Sequence, residues 1–161
     1  MKLALERVNE ILNNELFEYY IKRLKKLEEN RKFCLHNIEH SLDVARIAYI
    51  YALENRLEYS KEVIYTVALL HDLGRVLQYE EGTGHHEGSI IIAEKILKNI
   101  KFSEDEKEDI LKAIKNHRKE SYDKLSNIIY KSDKLSRNCF MCKAEEECYW
   151  SKDKKNFNIN I

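Results

Sequence analysis

Six side chains that could hold a metal ion or move a proton recur along this chain, each in a fixed relation to its apolar pattern. The sharpest stretch is Val67-Ala68-Leu69-Leu70-His71-Asp72-Leu73-Gly74-Arg75. Ile64, Val67, Ala68 and His71 recur at helical spacing, so His71 points where the core side chains point. Gly74 then reads as a helix stop that leaves Asp72 free to turn toward whatever His71 faces. Burying an imidazole beside a carboxylate is costly unless something pairs with both, and a metal ion does. Alone, such a pair is more often a core histidine beside a solvated aspartate.

Four other stretches repeat the pattern. His40 heads the stripe Val44, Ile47, Ala48, Tyr51; His85 leads Ser89, Ala93, Ile96, Leu97; His117 closes Ile110, Ala113, Ile114; Asp133 shares a face with Leu125 and Ile129. One inward histidine is ordinary packing, but five elements that each turn His or Asp inward point to a common centre. Imidazole and carboxylate suit Fe, Mn, Ni, Co or Zn, and helices of one bundle can project them onto one or two ions.

The elements that must position these groups are helical. Proline is absent and the four glycines all fall between positions 74 and 88, in a chain rich in Leu, Ile, Glu and Lys. A chain of 161 residues reads as one domain with a substantial core. A first helix is expected along Leu5, Val8, Leu12, Leu16 and Tyr20, continuing past Leu24 and Leu27. A second starts near the N-cap Asn37, a third is capped by Ser60 and ends at the His-Asp pair, and a fourth carries His85. Ser103-Glu104-Asp105-Glu106 is a capping box for the fifth, and Ser121 is expected to cap the sixth. The prediction is an all-α, single-domain bundle of about six helices over residues 1–138, with its core at 33–135, and a cysteine-bearing tail at 139–161 packed on it. Phe157, Ile159 and Ile161 alternate as a short strand or a frayed end would. Gln78 to Gly84 reads either as a plain connector or as a mobile lip on which Tyr79 could stack against a base or ring.

Lysine plus arginine equals aspartate plus glutamate at 28 each, which argues against broad binding of nucleic acid or an anionic membrane. The N-terminus is too charged for a signal peptide and no apolar run approaches a membrane span, so a cytoplasmic protein is expected. Its four cysteines should then be reduced thiols or metal ligands.

The order His … His-Asp … His … His … Asp, with the middle pair written His71-Asp72-Leu73-Gly74-Arg75, resembles the HD-domain superfamily of metal-dependent phosphohydrolases, over roughly Phe33 to Leu135. The resemblance implies an all-helical fold in which His40, His71, Asp72 and Asp133 bind the principal metal. It further implies that His85 and His117 hold a second metal or grip phosphate. Two registers compete. His36 lies four residues before His40 and is expected to face solvent or the tail, since His40 heads the apolar stripe. His86 is expected to be exposed or at the rim, since Ser89 and Ala93 select His85. Asp72 is the natural bridge between two ions.

The activity so implied is cleavage of a phosphoester or pyrophosphate of a small molecule, nucleotides being the first class to consider, by a hydroxide on the metal. Arg75 and Lys134 are the candidate cations for the phosphate, and His117, if not a ligand, the candidate proton donor. Lys115, Arg118 and Lys119 around His117 are weaker candidates, and on a helix this charged they read as a solvated face. One rival is a di-iron oxygenase of the same fold; the other is a non-enzymatic metal- or redox-sensing module working through the tail.

The tail carries Cys139-x2-Cys142-x5-Cys148, and Cys34 is the remaining cysteine. Cys34 lies six residues before His40 and Cys139 six after Asp133. If the second and sixth helices run antiparallel past the metal, both thiols sit on one side, ~9 Å along the axis. The four could then form a thiolate site for zinc or an iron–sulfur cluster, against the plainer reading of reduced thiols.

Overall fold

The computed structural model of the chain describes residues 4–161, so part of the charged N-terminus lies outside the described residues. Among these residues there are eight α-helices and no strand: α1 (Glu6–Leu12), α2 (Glu15–Leu27), α3 (Ile38–Glu54), α4 (Lys61–Leu70), α5 (Arg75–Glu81), α6 (His85–Leu97), α7 (Glu104–Asn116) and α8 (Lys124–Leu135). The tail forms short 3-10 turns at Cys139–Met141, Glu145–Glu147 and Lys152–Lys154. Phe157, Ile159 and Ile161 are exposed and belong to no strand. No described helix is long and apolar enough to cross a membrane.

The two helices beyond the expected six have local causes. The first expected helix breaks at Asn13-Asn14, because the Asn14 side chain accepts from the Leu16 and Phe17 N–H groups and restarts the helix as α2. The break rotates the buried face: Ile11 and Phe17 enter the core, while Leu12 and Leu16 are exposed. The second addition, α5, takes up Gln78–Glu81, so most of the expected connector is helix; Gly82, at φ 76°, ends it in the left-handed conformation that glycine supplies cheaply.

Three expected caps are present at Asn37, Ser60 and Ser103, the last as a full capping box. The sixth expected helix is capped by Asp123 rather than Ser121. The Asp123 carboxylate accepts from the Ser126 N–H, and Ser121 Oγ instead accepts from the Asp123 N–H.

Helix α4 is the axis of the molecule. Seven of its ten residues are buried, from Val63 through Leu70, because α1, α3, α6, α7 and α8 all pack on it. A helix apolar on every side is stable only when enclosed in this way. The start of α3 meets the end of α8, and α5 and α6 fold back over the end of α4.

Gly74 is not a helix stop in the sense expected: its backbone is ordinary, at φ −63°, and it caps the start of α5. Its missing side chain is required for a different reason. A Cβ there would lie 2.0 Å from His85 O and 2.1 Å from Ser89 N. This contact lets α6 lie directly on the turn after His71-Asp72. Ser89 Oγ seals it, accepting from Gly74 N–H at 2.8 Å and donating to His71 O at 2.6 Å.

Candidate metal centre

Each helix ends or begins where its polar residue is needed. His40 lies in the first turn of α3, His71-Asp72 follow the last turn of α4, His85 opens α6, His117 caps the end of α7, and Asp133 lies in the last turn of α8. Asp72 Oδ2 is 2.9 Å from His71 Nε2 and 3.6 Å from His40 Nε2. Asp133 Oδ1 is 3.1 Å from His40 Nε2 and 3.9 Å from His71 Nε2. The donor atoms of these four residues lie within 4.8 Å of one another. A second group shares Asp72: its Oδ1 is 3.9 Å from His85 Nε2 and 3.8 Å from His117 Nε2, and the two imidazole nitrogens are 3.2 Å apart. Their donor atoms too lie within 4.8 Å. Asp72 thus offers one oxygen to each group.

The far side of each ring fixes which nitrogen faces inward. A carbonyl oxygen can only accept, so His71 Nδ1 donates to Ala68 O at 2.7 Å and His117 Nδ1 to Ile114 O at 2.6 Å. Ser136 Oγ donates to Asp133 O, which leaves its oxygen to accept from His40 Nδ1 at 3.1 Å. In all three rings Nε2 is therefore the atom presented to the centre, the outer-shell arrangement that orients metal-binding histidines.

His71 Nε2 tests whether a cation fits. It is buried and makes no hydrogen bond, although a carboxylate oxygen lies 2.9 Å away. Burial opposes charge on this ring, but Asp72 and Asp133 overcome it and push the His71 pKa up to about 10. The same proximity works against burial to hold Asp72 and Asp133 well below the usual carboxylate range. The pocket therefore demands positive charge, and one ion among four donors satisfies it more fully than a proton on one ring. Burial and Arg75 push the His85 pKa down to about 3, while burial and His71 push that of His117 to about 4. Both rings are thus neutral at neutral pH, the form that binds metal.

Cations stand around the donors. Arg75 Nε donates to Asp72 Oδ1 at 3.2 Å, and Lys134 Nζ is 3.5 Å from Asp133 Oδ2. Arg137, which was not foreseen, places Nη2 3.2 Å from His40 Nε2 and donates from Nη1 to Leu35 O at 2.6 Å. Lys115, Arg118 and Lys119 are exposed, as a solvated face should be. His85 is buried in the second group, whereas His86 is only partly covered and belongs to neither.

The expectation for His36 is overturned. It is 5% exposed rather than facing solvent, because Glu28, itself 4% exposed, accepts from both its backbone N–H at 2.8 Å and its Nδ1 at 2.6 Å. Tyr79 extends this network, its hydroxyl donating to Glu28 Oε1 at 2.7 Å while its ring stays exposed. Glu28 carried a sequence signal: it caps the end of α2 one helical turn beyond the buried Leu24. Ser136 and Arg137 carried none beyond adjacency to Asp133. The four cysteines line one cavity beside His40, and no three of their sulfurs lie within 4.8 Å of one another among the described residues.

An all-helical bundle whose helix ends converge on paired His/Asp groups is the architecture of the HD domain, and the chain belongs to that family: the family model, described as HD domain, matches residues 37–138. A protein of Clostridium beijerinckii, described as uncharacterized, is 48% identical over 155 residues, which cover 96% of this chain and 99% of its own length. No solved structure matches. Membership places the chain in a superfamily of metal-dependent phosphohydrolases, and its buried His/Asp groups could hold a divalent metal.

Proposed function

We propose that this chain is a metal-dependent phosphohydrolase that cleaves a phosphoester or pyrophosphate of a small molecule, with nucleotides the first substrates to test. The observation that carries the reading is the sharing of Asp72 between two buried donor groups. A carboxylate that offers one oxygen to each of two sites suits a pair of ions rather than one. His40, His71, Asp72 and Asp133 would hold the first, and Asp72, His85 and His117 the second. Bound there, the metal would lower the pKa of water toward ~7 and polarise a phosphoryl oxygen.

The residues of the chain do the rest. Arg75 and Lys134, each already paired with a donor carboxylate, and Arg137 beside His40 set positive charge where a phosphate would approach. They would orient the phosphate and offset charge growing on its oxygens. With Nδ1 committed to a carbonyl and the ring neutral, His117 carries no proton at Nε2, which favours a ligand role over that of proton donor.

The test is a screen of protein loaded separately with Mn, Ni, Co, Fe or Zn against phosphomonoesters, phosphodiesters, nucleotides and pyrophosphate, read as phosphate or nucleoside released. Release that Asp72→Asn abolishes is expected. No release with any metal, together with oxygen consumption by the iron-loaded form, would transfer the case to the di-iron oxygenase reading.

A further inference from the structure

The proposed hydrolysis leaves four thiols without a role, in a cavity that borders its site at His40 and Arg137. Cys34 precedes α3, whereas Cys139, Cys142 and Cys148 follow α8. The start of α3 meets the end of α8, so all four line a cavity of about 270 Å³. Each is a free, half-buried thiol. Cys139 and Cys142 are set by one 3-10 turn, in which Cys142 N–H donates to Cys139 O at 3.1 Å. Cys148 is set by the next, its N–H donating to Glu145 O at 3.1 Å. Arg137 and Lys155 also line the cavity, Lys155 being shared with the Glu145 carboxylate at 2.7 Å.

The tail itself calls for a fastening. Of residues 139–161 only Ala144 is buried, so apolar packing does not fix these turns. Asn156 bonds to Lys134 O and Arg137 O, and Lys32 pairs with Glu147, but segments with so little core ordinarily rely on a covalent or metal staple.

The sulfurs are not drawn together as closely as one zinc ion would hold them. A single zinc with Zn–S bonds of ~2.3 Å draws its four sulfurs to ~3.8 Å from one another. Here no three lie within 4.8 Å among the described residues. In a cubane cluster each thiolate binds a different iron, so the sulfurs stand farther apart around a larger body. The cavity matches: one water takes up only ~30 Å³ and a lone cation less.

We propose that Cys34, Cys139, Cys142 and Cys148 hold a [4Fe–4S] cluster that staples the tail to the bundle. When the preassembled 2+ core enters, four S–H bonds break, four Fe–S bonds form and four protons leave to solvent, with no change of oxidation state. The product carries a charge of −2, and its cavity is lined by Arg137 and Lys155 together with Glu39, Asp43 and Glu145. Arg137 bonds Leu35 O and reaches His40 Nε2, so the staple would also position a cation at the metal centre.

The test is anaerobic purification of the full chain, or reconstitution with equal amounts of ferrous and ferric iron plus sulfide, followed by iron and acid-labile sulfide analysis and absorption before and after dithionite. About four sulfides per chain and a broad visible band that dithionite bleaches are expected. Asp72→Asn should keep the sulfide, which separates it from iron at the His/Asp groups. Cys142→Ser should lose at least ninety per cent of the sulfide, and its tail should be cut faster by protease. Stoichiometric zinc without sulfide, or a metal-free Cys139–Cys142 disulfide, would overturn the proposal. If Cys142→Ser does not fold, the sulfide count and the bleaching of the unaltered chain decide alone.

Discussion

Replacing Asp72 by alanine removes one donor oxygen from each of two groups at once. The first would keep His40, His71 and Asp133, and the second only His85 and His117. An ion bound to the folded chain alone, at free metal 100-fold above its Kd, stabilises that chain by ~2.7 kcal/mol. For a chain of 161 residues each kcal/mol moves Tm by ~2–4 °C, so each ion should raise Tm by ~5–11 °C. If the lost oxygen weakens binding 100-fold, the stabilisation at the same free metal falls to ~0.4 kcal/mol and the rise to ~1–2 °C. The assay is a thermal melt of metal-free and metal-titrated protein, with metal counted per chain after gel filtration. His117→Ala is the control and should forfeit only one ion and its share of the shift. A full shift and an undiminished metal count in Asp72→Ala would refute the shared-ligand geometry.

The remaining expectations concern single contacts. Gly74→Ala puts a Cβ about 2 Å from the backbone of α6, a clash no rotamer relieves; denaturant melts should show a loss of about 4 kcal/mol or more, or no folded protein. His85→Ala should lose metal while His86→Ala keeps it, which metal analysis of the pair would show. Tyr79→Phe removes a donor from buried Glu28, which retains His36, so a loss of about 1 kcal/mol in urea unfolding is expected. Arg7 holds Glu106 below its ordinary 4.5 despite the counter-effect of burial. A carboxylate depressed in the folded state stabilises above its unfolded pKa and loses that contribution as pH falls through the folded value. Stability should therefore begin to drop below about pH 4.5, and less steeply in Arg7→Ala, in urea midpoints measured across that range.

Helix type, three caps and the inward set of His40, His71, Asp72, His85, His117 and Asp133 were all legible in the sequence. Each rests on a local rule: apolar spacing along one helix or a hydroxyl or amide three residues before a backbone N–H. Local rules failed where two compete within a few residues, as when Asn14 outbids helix continuation or Asp123 outbids Ser121. Only the tertiary structure gave Gly74 its reason, because the atoms that forbid a side chain there belong to α6 and not to its own neighbours. Likewise, spacing left His36 open between an inward and an outward reading, and its burial was decided by Glu28 arriving from the end of α2. The sequence determined which donors turn inward. Their division into two groups sharing Asp72 was already implied by the family resemblance, whereas the place of Arg137 between His40 and the cysteines was decided by how the helix ends meet in space.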